Sequence, residues 1–189
     1  DPREVVIDGT GAGVGLLDFM IKPNITEDGR HYPPIGSFND KDLMEKQPKN
    51  CLRLLNVLKI NDSLNGEIHT SVFSEVMSGR IRFLIKEQDA KQKLMATKKG
   101  SKMSAYERIE FMMPYEITTR LHDEMCNLKV RQATRHVAVE KINSRLPKDK
   151  FSSFEYAVWR AKQIEDEETR KSSKKRINPV KMVFYTKNK

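Results

Sequence analysis

Two acids in this sequence stand where a carboxylate can do chemistry. Asp8 closes the β-branched run "VVID" (Val5–Asp8) and is followed by four glycines within seven residues, Gly9, Gly11, Gly13 and Gly15. Asp149 opens the stretch "DKFSSFEYAVW" between Lys148 and Lys150. A dinucleotide fingerprint requires glycines at its first, third and sixth positions, and the sixth falls on Val14 or Leu16 in the available frames. No Gly-Lys-Ser/Thr follows, so a phosphate loop is excluded as well. What remains is an acid at the carboxyl end of a strand, where ligands gather in open α/β sheets. Hard divalent cations prefer carboxylate oxygens, and two-metal phosphodiester hydrolysis needs several acids around one site. Spacing alone leaves the plainer roles open: Asp8 as a turn residue, and Asp149 as a helix N-cap contributing about 1 kcal/mol.

Other chemistry is thinly represented. His31, His69, His122 and His136 are scattered, with no metal-ligand spacing between any two. Cys51 and Cys126 match no redox or zinc pattern and fit two buried free thiols of a reducing compartment. There is no glycine-bounded nucleophilic serine. Charge is the stronger signal. Of the net +9, eight charges lie between Arg170 and Lys189 with no acid among them, leaving +1 for residues 1–169. Such a basic stretch attracts a polyanion, nucleic acid above all, or is a solvated terminus.

The elements that must position these residues read as mixed α/β without an internal repeat. Arg3–Asp8 reads as a strand, followed by a helix through Val14, Leu17, Phe19 and Ile21. Lys22–Asn39, rich in Pro, Gly and Asn, reads as a long loop, and Cys51–Ile60 as a buried strand. Ile68, Val72, Phe73, Val76 and Met77 share a helical face that stops at Gly79. Arg80–Ile85 alternates like a strand, and "KKGSK" (Lys98–Lys102) reads as a loop. Ser104 and Glu107 have capping-box spacing and start a helix that Pro114 should interrupt. Beyond it, Ile117, Leu121, Met125 and Leu128 define another apolar face. His136–Ile142 alternates near its start, and Phe151, Phe154, Val158, Ala161 and Ile164 mark a long amphipathic helix. The nine methionines fall mostly on helical apolar faces and are expected in the core. The expected organisation is one domain over residues 1–169 and a basic tail over 170–189, with no apolar run approaching the length of a membrane span.

Three stretches in order resemble the carboxyl-terminal nuclease domain of the large terminase subunits of tailed bacteriophages. They are "VVIDGTGAGVGLLDFMI", "SGRIRFLIKEQDAKQKLMATKKGSKMS" and "KDKFSSFEYAVW", and the resemblance runs over most of residues 3–165 with a gap-like loop near 22–50. It implies a ribonuclease H-like fold, a mixed sheet flanked by helices, with an acidic cluster that binds Mg²⁺ or Mn²⁺ as a two-metal site. It implies an endonuclease that cuts concatemeric double-stranded DNA into genome units. By the same resemblance the partners are the portal protein and the small terminase subunit, and the setting is the host bacterial cytoplasm. Carried over position by position, Asp8 and Asp149 are the metal ligands and catalytic acids.

In that family the first acid lies on an opening strand upstream of "VVID", whereas only seven residues precede Asp8 here. The expectation is therefore an excised domain without its opening strands or the ATPase motor, holding metal weakly and cleaving poorly. Lys98, Lys99, Lys102, Lys148, Lys150, Lys174, Lys175 and Arg176 are the candidate contacts to DNA phosphates, sequence-tolerant and salt-sensitive. Two alternatives stay open: a non-catalytic DNA-binding or portal-docking module of the same fold, and a different ribonuclease H-like enzyme.

Overall fold

The computed structural model describes residues 3–10, 13–132 and 137–176. The chain opens with strand β1 (Val5–Asp8), helix α1 (Gly13–Met20), three short strands β2 (Asn24–Ile25), β3 (His31–Tyr32) and β4 (Ile35–Ser37), and helix α2 (Lys41–Lys46). Strand β5 (Leu52–Leu58) and helix α3 (Asp62–Met77) follow. Helices α4 (Glu87–Met95), α5 (Lys98–Lys102) and α6 (Ala105–Cys126) form a helical layer. The hairpin β6 (Leu128–Gln132) and β7 (Val137–Lys141) then leads to the 28-residue helix α7 (Asp149–Arg176).

β1, β5 and β4 form a three-stranded parallel sheet in the order β1-β5-β4, and β2-β3 and β6-β7 are separate antiparallel pairs. The mixed α/β expectation holds, with helices on both faces of the sheet. Alternation along β1 explains the layering, because successive side chains leave a strand on opposite faces. Val5 and Ile7 join Leu17, Ile21, Leu43, Leu55 and Val57 in one core under α1 and α2. Val6 joins Leu58, Ile68, Val72 and Trp159 in the other, under α3 and α7. Among the described residues, β1 pairs on one side only, with β5.

The turn after β1 is shaped by close approach. A Cβ on Gly13 would lie 1.8 Å from the carbonyl oxygen of Asp8, so α1 can start where it does only with glycine there. Gly15, two residues further, has open space around its Cα.

Several elements depart from the sequence expectations. "KKGSK" is a short helix rather than a loop: the Thr97 hydroxyl accepts from the Gly100 amide (2.9 Å), and buried Gly100 lets this turn sit on the Leu94 carbonyl where a side chain would collide. Helix α6 runs unbroken through Pro114. Its start is secured by the full Ser104–Glu107 capping box, and it packs along α4, which outweighs a proline cost of about 3 kcal/mol. Arg80–Ile85 forms no strand. Arg80 is drawn into ion pairs with Glu165 (2.5 Å) and Glu75 (3.2 Å), and Phe83 stacks on Phe154 of α7. The expected loop at 22–39 holds β2, β3 and β4, and Leu128 begins β6 instead of ending a helical face.

The side-chain expectations need correction too. Val14, Phe19 and Phe73 are exposed, as are Met44, Met77, Met95 and Met113, so those methionines are not core. Cys51 and Cys126 are free thiols, but neither is buried: Cys51 is half-buried and Cys126 exposed. The first seven residues of the basic segment extend α7, while 177–189 lie outside the described residues.

Gly13→Ala should destabilise the fold by about 2–3 kcal/mol through overpacking against the β1 backbone. Gly15→Ala, in the same helix but facing open space, should stabilise it by roughly 0.5–1 kcal/mol. Urea unfolding of the two variants side by side checks the contrast.

Candidate active site

Val6 and Asp8 of β1, with Glu4 just before it, face α7. At one end the Arg160 guanidinium forks onto Glu4, Nε to Oε2 at 2.7 Å and Nη2 to Oε1 at 2.9 Å. Arg3 reaches Glu168, further along the helix, at 2.7 Å. Val6 packs in the cluster that includes Tyr156, and the Tyr156 phenol faces the Asp8 carboxylate. Strand and helix therefore run antiparallel. Asp8 thus lies against Tyr156, about two turns into the helix that begins with Asp149.

The two acids differ in how they are held. Asp8 is half-buried, and its Oδ1 accepts from the Thr10 amide (3.0 Å) and the Thr10 hydroxyl (2.7 Å), a local turn of the kind expected from spacing. Burial first, then the Asp8 charge, pushes the Tyr156 phenol above its ordinary value, so it stays protonated at neutral pH. Asp149 is exposed. Its carboxylate is not the cap of α7: the Phe151 amide donates instead to Glu124 Oε2 (2.9 Å), a carboxylate buried at the last turn of α6. The capping role belongs to Glu124, which leaves the Asp149 carboxylate outward. Among the described residues neither Asp8 nor Asp149 has a basic side chain within salt-bridge distance, whereas Glu4 has Arg160.

The lysines fall into three groups. Lys148 and Lys150 flank Asp149 and are half-buried, with the Lys150 ammonium 3.5 Å from Glu124. Lys98, Lys99 and Lys102 are exposed on α5, which packs on α4 and not on the Asp8 end of the sheet. Lys174, Lys175 and Arg176 fall in the last turn of α7, and their side chains lie outside the described residues. Among the described residues no group of three or more His, Cys, Asp or Glu is gathered closely enough to hold a metal ion. No helix among them is long and apolar enough to cross a membrane.

Sequence reasoning missed Glu4, Tyr156, Arg160 and Glu124. Two of these had a signal: Glu4 shares strand parity with Asp8, and Tyr156 lies seven residues after Asp149, two helical turns along the same face. Comparison of this chain with known protein families, with curated proteins and with solved structures returns no match.

The fork has a pH signature. Hydrogen bonding from Arg160 is the largest influence on Glu4 and holds its carboxyl below the ordinary value, against the opposing effect of burial. A depressed carboxyl stabilises the fold above the unfolded value, and that stability is lost as pH falls through the folded one. Glu4→Gln should cost about 2 kcal/mol at pH 7 and leave a shallower loss of stability on acidification below about pH 4.5. Denaturant midpoints measured from pH 7 down to pH 3 test this.

Proposed function

We propose that this chain carries the DNA-cutting site of a phage packaging terminase, a ribonuclease H-like domain that hydrolyses phosphodiester bonds of double-stranded DNA with Mg²⁺ or Mn²⁺. What supports the reading is that β1 packs on α7, the helix that Asp149 opens, with Asp8 against its Tyr156. Two acids separated by 140 residues of chain thus belong to adjoining elements, and among the described residues neither pairs with a basic side chain.

The donor set suits a hard cation in kind, since both groups are carboxylates. In number it is short of what two ions require. Among the described residues β1 pairs on one side only, and in the resembled family a further strand carries another acid. When bound, the metal ions would supply an activated water and stabilise the leaving oxygen.

This chain's own residues do the remaining work. Thr10 fixes Asp8 Oδ1 through two donors, which leaves Oδ2 as the ligand oxygen. Tyr156, protonated at neutral pH, faces that carboxylate without adding charge. Asp149 stands at the start of α7, beside Lys148, whose ammonium is suited to a backbone phosphate. The exposed lysines of α5, away from the Asp8 end of the sheet, would be a separate set of sequence-tolerant phosphate binders.

The shortage of acids also favours a second reading, a DNA-binding or portal-docking module that does not cut. A supercoiled plasmid incubated with Mn²⁺ separates the two. On the nuclease reading the chain nicks slowly, and Asp8→Asn and Asp149→Asn each lower the rate at least about tenfold. Nicking that survives both substitutions sinks the assignment of these acids. DNA binding without any nicking transfers the chain to the docking reading. In either case retention on DNA should fall steeply between about 50 and 200 mM salt, and the triple change of Lys98, Lys99 and Lys102 to Ala should flatten that dependence.

A further inference from the structure

Helix α6 carries large apolar side chains on a side that the fold leaves uncovered. Tyr106, Ile109, Met113 and Ile117 follow one another at steps of three, four and four residues, which places them in one stripe. Eleven residues in three turns keep that stripe almost parallel to the helix axis over about 16 Å. Elsewhere the helix is partnered. α4 packs against a different side, where the Thr119 hydroxyl accepts from the Glu87 amide (3.0 Å). The start of α7 packs at the last turn, through Glu124 and Phe151.

The four side chains are 71%, 65%, 49% and 50% exposed. At about 200 Å² for a large side chain, they leave roughly 450 Å² of apolar surface in one strip. A contiguous patch of more than a few hundred Å² marks an interaction surface rather than the ordinary scatter of exposed apolar residues. The charges along its side do not compete for that surface, because Glu116 and Arg120 pair with each other.

We propose that the stripe is a self-association surface, on which α6 of a second copy of this chain packs antiparallel about a two-fold axis. The stripe is self-complementary in that arrangement. With the axis beside its middle, Ile109 meets Met113 of the second copy and Tyr106 meets Ile117 of the second copy, each contact made twice. The unbranched methionine adapts to the space between them. Antiparallel packing opposes the two helix dipoles. It also sends the two α7 starts, each seated on the last turn of its own α6, to opposite ends of the pair, whereas parallel packing would bring them to the same end. Area sets the strength. Two stripes bury about 900 Å² together, close to the roughly 1,000 Å² at which specific interfaces begin, so the dimer is weak and reversible.

Sedimentation velocity of the full chain tests this. A reductant keeps the thiols of Cys51 and Cys126 from cross-linking copies, and about 150 mM salt screens the repulsion between two chains of net charge +9. The average mass should rise from monomer toward dimer between about 5 and 500 µM, with a dissociation constant on the order of tens of micromolar. Ile109→Glu should weaken association at least about tenfold, whereas Met77→Glu, similarly exposed on α3, should leave it unchanged. Ile109→Lys combined with Met113→Glu should associate again, because in the antiparallel pair each lysine faces a glutamate of the second copy. That recovery also excludes a folding defect as the cause of the first loss. A monomer over the whole concentration range, or a dimer that Ile109→Glu leaves intact, overturns the proposal. Failure of the double variant to associate overturns the antiparallel arrangement. None of these readouts involves DNA or metal, so the outcome is independent of the nuclease reading.

Discussion

The fork between Arg160 and Glu4 sets where α7 lies along β1, and the candidate site inherits its geometry from that contact. A planar guanidinium meeting a carboxylate through two parallel hydrogen bonds tolerates little sliding, unlike the apolar contacts around it. With both partners largely buried, moving α7 by one residue would leave a charge without its counterpart in a poorly solvated layer. The strand and helix are thus keyed at one end, and one helical turn before Arg160 the Tyr156 phenol comes to Asp8 at the end of β1.

At that end the constraint comes from the backbone. α1 begins against the carbonyl of Asp8, which only Gly13 permits, and the Gly9 amide extends the parallel ladder to the Leu58 carbonyl (2.8 Å). The register also protects the acid's orientation. A slip of one residue between β1 and β5 would turn Asp8 into the apolar cluster around Leu17 and Leu55, at the cost of burying an unpaired charge. The β1–β5 register, with Val5 and Ile7 in one core and Val6 in the other, therefore determines which way Asp8 faces.

How much of this was legible in the sequence depends on how local each interaction is. Strand, glycine turn and helix were readable because a β-branched run followed by close-packed glycines has few other solutions. The start of α6 was readable because Ser104 and Glu107 satisfy each other three residues apart. Contacts between distant segments were not. The cap of α7 comes from Glu124, which lies 27 residues before Phe151, so Asp149 looked like the natural capping residue. Arg80–Ile85 alternates like a strand, but the partners it found are side chains of α3, α6 and α7 rather than a sheet edge. Pro114 was read for its local cost, and the packing of α6 along α4 overrode it.

The electrostatics along one strand face distinguish Asp8 from Glu4. Both project toward α7, only four residues apart. Glu4 meets a guanidinium that cannot lose its proton, so its charge is spent inside the fold. Asp8 meets a hydroxyl and an amide of Thr10 and a phenol held in its neutral form. Neutral donors fix the position of a carboxylate without cancelling its charge, which leaves the attraction for an external cation intact. The sequence separates these roles by placing arginine one turn after tyrosine on the facing helix. An exchange of the two, Tyr156→Arg with Arg160→Tyr, would move the internal neutralisation to Asp8, and it should abolish Mn²⁺ binding there, measurable as the loss of paramagnetic broadening around Thr10.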